Sequence, residues 1–182
     1  MLNRILLVCL LFAGSSLTCK WMDTNFKRYT EGALALLKTM KMNSTNSTDD
    51  VELPDAAAFP NELYRHASKA PRSEKRSFAA HVLDEIVVLF GEDQTHASWS
   101  ARTGEDFLNV ITQQADGVAS CTMINHKKSH RKMSMYFKRL ALHVLEEMEH
   151  SADAWELIRE QVRLHIYRAQ RLAELLKQTN KQ

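Results

Sequence analysis

The residues best equipped for chemistry are histidines set beside carboxylates. His81-Val-Leu-Asp84-Glu85 and His143-Val-Leu-Glu146-Glu147 repeat one pattern. In each, an imidazole and a carboxylate four residues on share one side of a helix. Such a pair can act as an acid–base couple or supply two ligands to a metal. Neither pair belongs to an HExxH zinc helix. The chain also has no GxSxG elbow, no P-loop and no glycine-rich dinucleotide fingerprint. His126 and His130 stand four apart in HKKSHRK, residues 126–132, without a third ligand. His165 lies beside an apolar stripe and reads as a core histidine. The sequence therefore offers no catalytic residue, no metal site and no need for a cofactor. Both HVL segments read as amphipathic helix with an acidic outer face. HKKSHRK reads as a solvated loop, although its charge also suits a heparin-like polyanion.

The start of the chain sets the compartment. MLNRILLVCLLFAGSSLT carries Arg4, an apolar run from Ile5 to Ala13, and then Gly14, Ser15 and Ser16. This is the order of a secretory signal peptide, cut near Thr18–Cys19. The run is too short to span the ~30 Å core of a bilayer, and IVVLF at 86–90, the most apolar later run, is far shorter. Residues 1–18 are thus expected to be a leader and residues 19–182 one extracellular domain, monomeric and not inserted in a membrane. Without Arg4, 23 basic residues face 22 acidic ones, a balance that argues against nucleic-acid binding. Cys9 leaves with the leader. Cys19 and Cys121 remain in an oxidising compartment and are expected to form one disulfide. Closing a loop of about 100 residues stabilises by up to about 4–5 kcal/mol in the chain-entropy picture.

The elements are helical. Only three prolines occur, at 54, 60 and 71, and five segments repeat apolar residues at intervals of three and four. The first runs from about Met22 to Met42 through Phe26, Tyr29, Ala33, Leu37 and Met40. The second, about Ser73 to Phe90, carries Phe78, Val82, Ile86 and Leu89, widened by Ala79, Leu83 and Phe90. The third starts at Ala101 or Thr103 and ends at Ala119, with Phe107, Ile111, Ala115 and Val118 inward and Thr103 with Asp106 as its cap. The fourth, about Lys132 to Glu149, turns Phe137, Leu140, Val144 and Met148 inward. The fifth begins near Ser151, capped by Ser151 itself or by the Asp153–Glu156 pair, and buries Trp155, Ile158, Val162, Ile166, Ala169, Leu172 and Leu176. Five stripes in one domain make an all-α bundle.

The connections set topology. About thirty residues, 43–72, join the first two helices, with a short helix expected at Asn61–Lys69. A link this long is a crossover of the kind found in up-up-down-down bundles. Within it, Asn43-Ser-Thr and Asn46-Ser-Thr are abutting glycosylation sequons. On the last helix Arg159, Arg163 and Tyr167 follow one another by four, with Arg171 a turn further on. An outward Arg/Tyr surface has the composition of binding hot spots.

Several motifs now fall into one order. AFP at 58–60, LF at 89–90, ASW at 97–99, QQADGVASC at 113–121, YFKRL at 136–140 and AWELIRE at 154–160 cover nearly the whole domain, which opens on Cys19-Lys-Trp21. The set resembles the type I interferons, and most closely the two-cysteine members of bony fish. The stretch from Tyr136 to Trp155 is one residue longer than in the mammalian pattern. Asp153 stands where mammalian members often carry a cysteine, so only the Cys19–Cys121 bridge carries over.

The resemblance implies a helical cytokine bundle that acts as a secreted antiviral cytokine. It would bring together two class II cytokine receptor chains and so activate kinases and transcription factors. One receptor would meet the last helix at Arg159, Glu160, Arg163 and Tyr167, together with Val51, Leu53 and Pro54 of the long loop. The other would meet the middle helices, around Arg76, Asn109 and Gln113. The alternatives are a secreted amphipathic bundle acting on membranes and another class II helical cytokine.

Overall fold

The computed structural model describes residues 20–41, 53–122 and 130–178, with side chains through Leu176. Cys19, Asn43, Asn46, Val51 and His126 lie outside the described residues. The elements are α1 (Lys20–Thr24), α2 (Phe26–Met40), a 3-10 turn (Asp55–Ala57), α3 (Asn61–Lys69), α4 (Arg72–Phe90), α5 (Ala101–Ala119), α6 (Arg131–Leu140), a π-helical segment (Ala141–Glu146) and α7 (Ala152–Gln178). No strand occurs among the described residues.

All five stripes are buried as the periodicity requires, apart from Tyr29 and Met148, which are half-buried. Two local features differ from expectation, and a third decides between two alternatives. The first helix is broken at Asn25, whose amide still donates to the Trp21 carbonyl while α2 restarts behind it. The cap of α5 is Ser100, which accepts from the Thr103 amide; Thr103 is the bonded residue and not the cap. Ser151 caps α7 by accepting from the Ala154 amide at 3.3 Å, which settles the choice between its two possible starts.

The fourth helix is α-helical only as far as Leu140. Beyond it the amides of Glu147 and His150 reach back five residues, to the carbonyls of Leu142 and Leu145. A π turn takes one more residue than an α turn. Glu149 and His150 then take left-handed backbone, at φ 51° and 52°, to reverse the chain into α7. Non-glycine residues adopt that conformation only when surrounding structure holds them there.

Side-chain contacts fix the directions. Trp21 abuts Gly117, the Tyr29 hydroxyl donates to Gln113 at 2.9 Å, and Gln114 donates to Thr30 at 2.8 Å, so α2 and α5 are antiparallel. Phe90 meets Phe107 and Trp155, so α5 and α7 both run opposite to α4. Ser77 pairs with His130 and His81 with Ser134, so α6 is parallel to α4. The four long helices α2, α4, α5 and α7 therefore run up, up, down, down, and α6 is an additional helix beside α4.

Two aromatic clusters tie loops to this frame. At one end Trp99 stacks on Phe90 and meets Trp155 edge-on. The indole of Trp99 donates to Gln94, and that of Trp155 donates to the Asp93 carbonyl. Further along, His165 is enclosed by Phe59, Tyr136 and Phe137 at 4.7–5.1 Å between ring centroids, with the Tyr64 hydroxyl 2.6 Å from its Nδ1. His165 is a fully buried core residue, and burial pushes its pKa down to about 3.

Two predictions follow from this packing. A Cβ at Gly117 would lie 2.2 Å from the Trp21 ring, whereas one at Gly32 would make an ordinary 3.8 Å contact with Val110. Gly117→Ala should destabilise by about 1–3 kcal/mol, while Gly32→Ala should stabilise by up to about 1 kcal/mol; urea unfolding measures both. His165 is neutral in the fold down to about pH 3, whereas an unfolded histidine protonates near 6.5. Its contribution is complete above pH 6.5 and is lost as pH falls toward 3, at up to about 1.4 kcal/mol per pH unit. His165→Gln should flatten that part of the stability profile; parallel profiles would contradict the assignment.

Candidate functional site

The helix expected to carry the functional face is α7, and its charges do not all face outward. Arg159 is 4% exposed. Its Nη1 donates to the Leu37 carbonyl of α2 at 3.2 Å. Its Nε and Nη2 grip both oxygens of Glu156, at 2.8 and 2.6 Å, and Nη2 lies 3.5 Å from Glu160. The expectation of an outward Arg159 is therefore corrected. Position 159 is four residues after Trp155 and three before Val162, which puts it on the buried arc of the helix. A planar guanidinium can enter that arc because carboxylates and a carbonyl satisfy its donors.

The outward part of the ladder begins at Glu160. Arg163 grips both oxygens of Glu160, with Nε at 2.9 Å, and its guanidinium lies 5.4 Å from the centre of the Tyr167 ring. The Arg163 hydrogen bond holds the Glu160 carboxyl below its usual range, with help from the charges of Arg159 and Lys41. Tyr167 is exposed and Arg163 half-exposed. Salt bridge, cation–π contact and buried anchor thus fix a strip of one acid, one guanidinium and one phenol on a rigid helix.

The other expected positions are more dispersed. Leu53 packs partly against the core, and Pro54 leads into the 3-10 turn that Arg139 pins through the Ala56 carbonyl at 2.6 Å. The end of that loop does reach α7. Phe59 lies against His165, and Arg168 sits over the Phe59 ring and donates to Asn61. Asn109 and Gln113 are exposed on α5 and Arg76 is half-buried on α4.

The two histidine–carboxylate motifs serve packing and helix surface. His81 bonds Ser134 at 2.9 Å and lies 3.3 Å from Glu85, joining α4 to α6. His143 pairs with Glu147 at 2.8 Å on the surface. No cluster of three metal-ligating side chains occurs among the described residues.

Sequence reasoning passed over the polar core bonds, Gln114 to Thr30 and His165 to Tyr64. A signal was present: Gln114 is three residues after Ile111 and His165 three after Val162, so each lies on a core arc. The same geometry gives the motifs their meaning. QQADGVASC places Gln113, Gln114 and Gly117 against α1 and α2. AFP and YFKRL supply the rings around His165.

Comparison with known proteins agrees with this framework. The sequence matches the interferon family, described as the interferon alpha/beta domain, over residues 22–176. It is 32% identical over 155 residues to interferon a3 of Oncorhynchus mykiss, covering 85% of each chain. It is 26% identical over 155 residues to interferon alpha-1/2 of Canis lupus familiaris, covering 80% of this chain and 79% of that one. The fold is similar to that of zebrafish interferon 1, with a TM-score of 0.72 and 28% identity over 87% of this chain and 99% of the other. With the family domain spanning nearly the whole helical bundle, the chain belongs to the interferon alpha/beta family, whose members are cytokines and not enzymes.

Proposed function

We propose that the chain is a secreted antiviral cytokine that joins two class II cytokine receptor chains and so starts kinase and transcription-factor signalling. The observation that carries this reading is the Glu160–Arg163–Tyr167 strip, a preorganised, partly exposed acid–guanidinium–phenol surface on a helix whose inner face is buried. Arginine and tyrosine held in fixed geometry bind with little further loss of side-chain entropy. One receptor chain engages this strip together with the loop of Val51, Leu53 and Pro54. The second engages the middle helices around Arg76, Asn109 and Gln113. Arg159 contributes as a positioning residue, holding α7 to α2 beneath the strip.

Secretion follows removal of residues 1–18, and no described helix is long and apolar enough to cross a membrane. Glycans are carried on Asn43 or Asn46. The disulfide is Cys19–Cys121. It is favoured by the docking of Trp21 on Gly117, which brings the start of α1 to within one helical turn of buried Cys121.

Three measurements test these assignments. Arg163→Glu with Tyr167→Ala should lower potency in an antiviral-gene reporter by at least about tenfold, with helicity unchanged, the loss of roughly 1.4 kcal/mol or more expected of hot-spot residues. Wild-type potency would remove the strip from the mechanism. In urea, Arg159→Ala should cost about 3 kcal/mol and Arg163→Ala less than about 1 kcal/mol. The secreted protein should shift on non-reducing gels after reduction, and Cys121→Ser should abolish that shift.

A further inference from the structure

Helix α3 lies between two basic grooves. One is lined by Asn61, Glu62, Arg65, Arg168 and Arg171. The other is lined by His66, His130, Arg131 and Lys132, with Glu74 beside them. Arg65 and His66 are neighbours in sequence, so the grooves meet across α3, and Lys69 continues the row one turn on. Arg65, His66, Lys69, Arg131, Lys132, Arg168 and Arg171 are all exposed. Glu62 pairs with Arg65, and Glu174 lies 3.7 Å from Arg171, yet the cations outnumber these carboxylates.

The backbone adds to the same sign. Because α4 and α6 are parallel, their N-termini share this end of the bundle, and no side chain caps either one. The first turn of α6 carries Arg131 and Lys132 and no acid. Cations in a first helical turn oppose the helix dipole and cost stability, so helix formation does not account for them. The loops at the opposite end carry Glu92, Asp93, Glu105, Asp106 and Asp153, interspersed with Lys41 and Arg102. A net charge near zero is therefore compatible with a local excess of cations at the α3 end.

We propose that this basic end, formed by α3, the first turns of α4 and α6 and the Arg168–Arg171 segment of α7, binds sulfated polysaccharide. The two grooves flank a helix about 10 Å across, so one small anion cannot occupy both, whereas a chain of repeated anions can. Nucleic acid fits less well: the rings in the linings, Tyr64 and Phe78, are buried and present no face for base stacking. A bilayer also fits less well. The apolar lining residues Ala67, Met133 and Leu172 are buried and Leu63 and Leu175 partly so, leaving no apolar face to insert. The site goes beyond receptor binding and uses none of the residues assigned to it.

The test uses the full secreted chain on immobilised heparin and on desulfated heparin. The wild type should be retained on heparin at about 0.15 M salt and not on the desulfated form. Arg131→Glu with Lys132→Glu should weaken heparin binding by at least about tenfold and reduce its salt dependence. Arg102→Glu with Lys138→Glu makes the same change in net charge away from the basic end and should change binding by less than about twofold. The first variant places acids where the α6 dipole favours them, so its helicity should persist, and its receptor-reporter potency should match wild type. Equal losses from both variants, equal retention without sulfate, or stronger binding to RNA or phosphatidylserine vesicles at the same salt would each overturn the proposal.

Discussion

Trp155 and His165 sit in aromatic clusters that each bind a connecting loop to α7. At the Trp155 cluster, Phe90, Trp99 and Phe107 close the α4–α5 loop over the end of the bundle, and the indole donor is satisfied by the Asp93 carbonyl. At the His165 cluster, Phe59 and Tyr64 bring the end of the long crossover onto the rings of α6. Loops offer few apolar residues and carry many backbone polar groups, so they dock only where a large ring can be buried. The buried face of α7 is that place. The up-up-down-down course of the chain depends on it, because a crossover without such an anchor would leave α2 and α4 joined by a loose strand of about thirty residues.

The same burial decides which charges of α7 are available outside. Arg159 is drawn onto the core arc and spent on the Leu37 carbonyl and Glu156. Glu160, Arg163 and Tyr167 remain on the outer arc, linked to one another by short contacts. An isolated surface ion pair contributes little to stability. A strip of interlinked groups on a helix fixed along its inner face is better described as a preorganised surface. That suits a cytokine, which acts by contact with a cell-surface receptor and not by covalent chemistry.

Much of the bundle was legible in the residues because helical periodicity is a local property. Phe78, Val82, Ile86 and Leu89 declare their shared face without reference to the rest of the chain. What was not legible depended on partners distant in sequence. His165 reads as a core residue without its Tyr64 partner being visible, whereas the burial of Arg159 requires the Leu37 carbonyl and that of Gln114 requires Thr30. A one-dimensional pattern scores such residues as outward because it prices a polar group in water and not against its eventual partner. The break at Asn25 and the π turn after Leu140 were hidden for another reason: both keep the apolar stripe in register across a change of backbone. On the candidate surface, Arg163 and Tyr167 could be read from their spacing and Glu160 from the family resemblance, while the separation of Arg159 from them could not.

The account rests on the outer arc of α7 being the surface that meets a receptor. Hydroxyl-radical footprinting of the secreted chain, alone and saturated in turn with each receptor ectodomain from a responsive cell, tests this most directly. With one of the two ectodomains the oxidation of exposed Tyr167 should fall sharply, while buried Trp155 stays protected in every state. Unchanged oxidation of Tyr167 with both ectodomains, while either one is demonstrably bound, would contradict the account.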